Sequence, residues 1–110
     1  MERDPATAEP AAIPTVALAV ARTIEGLEAL AERGEADEDA WQYLVDLVAA
    51  WRARLEAVAE TRGTEPLPAE AAAAVAVALD EASRIDDPYR AIDWCSTLPQ
   101  VVLTALGEAP

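Results

Sequence analysis

Along most of this chain the apolar residues recur at intervals of three and four, the spacing that lines one face of an α-helix. The pattern is densest between Trp41 and Val58. Trp41, Leu44, Val48, Trp51, Leu55 and Val58 form an unbroken seam there. Val45 and Leu47 sit beside it, and Gln42, Asp46, Glu56 and Glu60 fall on the opposite side. An apolar arc this wide, carrying two indoles, predicts the central helix of the fold, with neighbours on more than one flank.

Ile13, Val16, Val20, Thr23, Leu27 and Leu30, with Ile24 alongside, predict an earlier helix reaching Arg33. Pro14 suits its first turn, and Gly34 stands in the usual helix-terminating position. The Thr23 hydroxyl can bond the Ala19 carbonyl, so it needs no catalytic explanation. The turn Gly34–Glu35–Ala36 is short, which places the first and central helices antiparallel. Asp37 or Asp39 caps the central helix, and Arg62–Gly63 close it. Pro66 and Pro68 forbid helix across the connector that follows. A third helix runs from Pro68 to about Arg84. Its alanines at 71–74, 76 and 78, interrupted by Val75, Val77 and Leu79, leave a nearly smooth surface. That surface is expected to receive the indole of Trp41 or Trp51, because large packs against small.

Asp87 followed by Pro88 starts a fourth helix over 88–96, with Tyr89, Ile92 and Cys95 on one side. Thr97–Leu98–Pro99–Gln100 reads as a capping box, Thr97 the cap and Gln100 reaching back. A fifth helix with Val101, Val102, Leu103 and Leu106 then follows a break at Pro99 and ends at Gly107. The expected fold is therefore all-α: an antiparallel four-to-five-helix bundle with the last helix broken at Pro99. It forms one domain over 13–110, preceded by a flexible arm, 1–12, in which Pro5 and Pro10 stand among mixed charges.

Composition sharpens the picture. With 53% hydrophobic residues, 5% aromatics and no Phe, the core must be Leu, Val, Ile and Ala around three Trp. The net charge is −13, and every basic residue is Arg. The Ala, Arg and Glu bias reads as a compositional habit, with halophilic adaptation as a second reading. An acidic surface repels phosphate backbones and anionic lipids, which argues against nucleic-acid and membrane partners. No apolar run approaches the ~18 residues of a membrane span. The start, Met-Glu-Arg-Asp-Pro, lacks the pattern of a signal peptide. Cys95 is the only cysteine. A cytoplasmic setting is expected. There is no His, which removes the commonest general base and transition-metal ligand.

Three groups of residues could carry chemistry. Glu25, Glu28 and Glu32 resemble half of the magnesium-binding pattern of all-α nucleotide pyrophosphohydrolases, a Glu-x-x-Glu completed by Glu-x-x-Asp on the next helix. The completing motif is missing, and the glutamates lie opposite the apolar seam. Asp80, Glu81, Asp86 and Asp87 form a second acidic group; the last two serve as caps, and the first two oppose the helix dipole. The richest stretch is 89–100. Tyr89, Arg90, Asp93, Trp94, Cys95 and Gln100, with Val102 and Leu106 beyond, are the candidate interaction residues. Arg90 can pair with Asp93, and Cys95 stands just before the start expected for the fifth helix, where a thiolate would be stabilised.

The leading functional expectation is a non-catalytic interaction protein, a homodimer through the C-terminal helix and Trp94, with a second protein as a further partner and no cofactor or metal. The alternatives are a metal-dependent pyrophosphohydrolase-like enzyme and an acidic decoy for a basic, nucleic-acid-binding protein.

Overall fold

The computed structural model describes residues 13–108; the expected arm, 1–12, lies outside them. Four helices pack together: α1 (Val16–Glu32), α2 (Glu38–Arg62), α3 (Ala69–Ser83) and α4 (Pro88–Ala105). No helix among the described residues is long and apolar enough to cross a membrane.

The first amides of α1 lack intrahelical partners by construction, and those of Val16, Ala17 and Leu18 find partners outside the helix ladder. The extended Thr15 accepts from Leu18 through its hydroxyl, at 3.3 Å, and from Ala19 through its carbonyl, at 3.1 Å. Val16 and Ala17 donate to the carbonyls of Glu65 and Gly63, at 3.1 and 3.0 Å. Leu67 donates back to the Pro14 carbonyl at 2.9 Å. The connector after α2 is thus a strap across the start of α1, and Pro14 precedes the cap rather than opening the first turn. Asp37 caps α2, accepting from Ala40, with Glu38 and Asp39 in the first turn complementing the dipole. Asp87 caps α4 ahead of Pro88.

The centre of the fold differs from the expectation. α1 and α4 each pack against the other three helices, while α2 and α3 lie on opposite edges and do not touch. The cross-section is a flattened rhombus, and the Cα trace is 16 Å through its thinnest dimension. The Trp41–Val58 stretch therefore forms a flank. Its buried seam is narrow: Ala40, Leu44, Val48, Leu55 and Val58. Val45 faces solvent, and Trp41, Leu47 and Trp51 are half-buried at the margins. The alanine surface of α3 cannot receive those indoles, because α2 is across the bundle. It packs on α1 and α4 instead. Gly26 is what lets three helices meet there: a Cβ at that position would lie 3.2 Å from Leu98 Cδ2 and 3.3 Å from Leu79 Cδ2.

The expected break at Pro99 is absent. α4 runs as one helix through Pro99, and the Thr97 hydroxyl donates to the Asp93 carbonyl at 3.0 Å, a mid-helix bond rather than a cap. Pro99 forfeits one backbone hydrogen bond. Burial outweighs that loss, since Leu98, Pro99, Val102 and Leu103 are all enclosed by the neighbouring helices.

Polar contacts fix which helix ends lie together. The Tyr89 hydroxyl donates to Asp37 Oδ2 at 2.8 Å, joining the starts of α4 and α2. Arg62 donates to the Leu106 carbonyl at 2.8 Å and pairs with Glu108 at 2.7 Å, joining their ends. Arg33 Nε donates to the Ile85 carbonyl at 2.7 Å, just past the ends of α1 and α3.

Candidate functional site

The residues singled out between 89 and 106 separate into two groups. Tyr89, Arg90, Asp93 and Gln100 are exposed and Trp94 is half-buried. Cys95, Val102 and Leu106 are buried in the core and present no surface to a partner. This corrects their place among the interaction candidates. The cause is the unbroken α4: carried through Pro99, its helical register turns Val102, Leu103 and Leu106 inward and leaves Val101 outside. The same continuity puts Cys95 in mid-helix. Burial pushes its thiol up to about 12, so no thiolate forms near neutral pH. Arg90 and Asp93 make no ion pair among the described residues.

Tyr89 and Asp37 form a polar latch between α4 and α2. The Asp37 carboxyl is held below its usual range, first by the Ala40 amide and then by the Tyr89 hydroxyl. The Tyr89 phenol is raised, first by its hydrogen bond to Asp37 and then by the charge on that carboxylate. A lowered acid stabilises the fold above its ordinary titration range and loses that contribution as pH falls through the lowered value. A raised phenol stabilises below pH ~10 and loses that contribution as pH rises through the raised value. Tyr89→Phe should therefore lower thermal stability most between those two ranges, with the difference from wild type shrinking toward pH 3, as Asp37 is protonated, and toward pH 11, as Tyr89 ionises. Superimposable melting-temperature profiles from pH 3 to 11 would show that the latch contributes nothing.

The carboxylates of α1 do not converge. Glu25, Glu28 and Glu32 are exposed, and Glu28 is bonded across the surface to Arg52 of α2 at 3.1 Å, with Glu56 on the other side of that guanidinium at 3.0 Å. Among the described residues no three of His, Cys, Asp and Glu stand close enough to share a metal ion. At the end of α3, Asp80 is taken by Arg84 at 2.8 Å.

A concave face lies between α3 and α4. At one end a hollow of about 420 Å³ is lined by Ala74, Gln100, Val101, Thr104 and Ala105, and it continues past Ala71 to Glu70 and Pro68. At the other end a hollow of about 340 Å³ is lined by Glu81, Arg84, Ile85, Arg90 and Trp94. Val77 stands on the α3 side between them, 59% exposed, and Val101 is 36% exposed. The reading of the sequence brought Arg90, Trp94 and Gln100 to this face. It missed Ala74, Val77, Thr104 and Ala105. A signal was present for Val77: it is two residues from both Val75 and Leu79, about 200° around a helix from each, so burying those two turns Val77 outward.

The chain matches no known family model, no characterised protein and no solved structure.

Proposed function

We propose that this is a non-catalytic, cytoplasmic interaction protein that docks another polypeptide on the face between α3 and α4. The observation that carries this reading is the pair of hollows flanking an exposed Val77, which no other helix among the described residues covers. An exposed apolar side chain set between two concavities is the kind of surface that interaction sites use. A homodimer is the simplest form of this reading. With the ends tied as they are, α1 runs antiparallel to α2 and α4, and α3 antiparallel to α4, so the two helices that border the face run in opposite directions.

The enzymatic alternative lacks support of this kind. Magnesium catalysis needs inward-facing, converging carboxylates, and Glu28 is instead committed to Arg52. The decoy reading rests on net charge alone.

A photo-crosslinking amino acid placed at position 77 tests the reading. It should link the protein to a polypeptide in the source cell, whereas the same group at the exposed Ala53 of α2 should not. Equal yields at the two positions would overturn the docking face.

A further inference from the structure

We propose that the occupant of this face is a second copy of the chain, paired across a two-fold axis that crosses α3 at Val77. The proposal rests on the docking reading above and adds the partner and the geometry.

Charge distribution is the first support. The chain carries −13, yet the charged residues lining the two hollows are Glu70, Glu81, Arg84 and Arg90, two of each sign. Asp80 sits behind them, already bonded to Arg84. Even with Asp80 counted, this face carries only −1 of the chain's −13, so most of the repulsion that would keep two acidic copies apart is absent there.

The arrangement of those charges is the second support. Glu70 lies at one end of the face, and Arg84 and Arg90 lie at the other. Glu70 and Arg84 are equally spaced in sequence on either side of Val77, each about 10 Å from it along the helix at 1.5 Å per residue. A two-fold axis in the plane of the face, perpendicular to α3, reverses the face end for end. Val77 then meets its own copy on the axis. Glu70 of each chain meets Arg84 of the other, with Arg90 beside it. An isologous interface requires this self-complementarity.

Shape is the third support. Trp94 borders the arginine end, and the larger, Ala-lined hollow lies at the Glu70 end. The same reversal sets the half-buried indole of each copy over the hollow formed by Ala74, Val101 and Ala105 in the other. An aromatic anchor seated in a pocket of small residues is the usual centre of a stable interface.

The test uses charge exchange and sedimentation equilibrium at micromolar protein in 0.15 M salt. Wild type should be dimeric. Glu70→Arg sets arginine against arginine across the axis, and the double variant Arg84→Glu, Arg90→Glu sets carboxylate against carboxylate. Each alone should lose about tenfold or more in association constant. Mixed in equal amounts, the two should form a one-to-one heterodimer, because both ion-pair sites are then complementary. Circular dichroism should show each variant as helical as wild type. Val77→Lys is the independent break and should also give a monomer. A wild-type monomer at every concentration and salt would overturn the second copy; crosslinks from position 77 to a different protein would then leave the docking reading standing. A dimer that survives Val77→Lys and both charge variants would overturn this face as its interface.

Discussion

Leu98→Ala is expected to lower the unfolding free energy by about 3–5 kcal/mol, the upper part of the range for a buried leucine. Leu98 is fully buried on α4, one of the two helices that touch all the others. Its Cδ2 lies over Gly26 of α1, 3.2 Å from where a Cβ there would stand. With no side chain at Gly26 to move into the gap, the cavity has little means of collapsing, and uncollapsed cavities give the large values. A domain of this size has roughly 5–15 kcal/mol in all, so the variant should sit near its folding limit. A urea titration gives the answer directly: the midpoint should fall with the slope unchanged. A loss under about 1 kcal/mol would mean that the three helices do not meet tightly at Gly26. Trp51→Ala should cost less than Leu98→Ala despite the larger side chain, because part of the indole is already in water.

The second large effect is expected at Gly34, for a reason the sequence does not disclose. A glycine after a helix suggests a left-handed backbone, which asparagine tolerates. Gly107 is the only described residue with positive φ, at 80°, so Gly34 is not there for conformational freedom. It is there for space: a Cβ would collide with Leu44 Cδ1, and Leu44 is itself fully enclosed. Gly34→Ala should therefore destabilise by about 1–3 kcal/mol through overpacking, after a gain of roughly 0.4–1 kcal/mol from the stiffer unfolded chain has been offset. Gly34→Asn should be worse than Gly34→Ala. The opposite order in thermal unfolding would restore the conformational explanation.

The Gly34 case shows where reading a sequence stops. Spacing and punctuation are local, and they located α1, α2 and α3 closely. Asp37, Asp87 and the proline-rich connector declared their roles because a cap or a missing amide acts within a few residues. What failed was non-local. The seam of α2 looked central because it holds two tryptophans, yet amphipathic spacing reports which face is buried and not how many helices cover it. α1 and α4 are the central pair, and the apolar residues of α4 fall on several sides: Ala91, Cys95, Leu98, Pro99, Val102 and Leu103. Pro99 was read by its backbone chemistry, and the enclosing neighbours reversed the outcome. The candidate face suffered the same limit. Trp94, Arg90 and Gln100 stood out as rare residue types in an alanine-rich chain, whereas Ala74 and Ala105 acquire meaning only from the hollow they share.

The strap across the start of α1 has a topological consequence. It brings Pro14 against Leu67, while the Arg62 contacts bring Glu108 to the end of α2, so both ends of the described chain emerge at one pole of the bundle. The chain enters the bundle at Ile13 and leaves it at Glu108 from that same pole. The opposite pole, with the turn at Glu35 and Ala36, is where the chain could be opened and its old ends joined by a short linker, a circular permutant that leaves the Val77 face untouched.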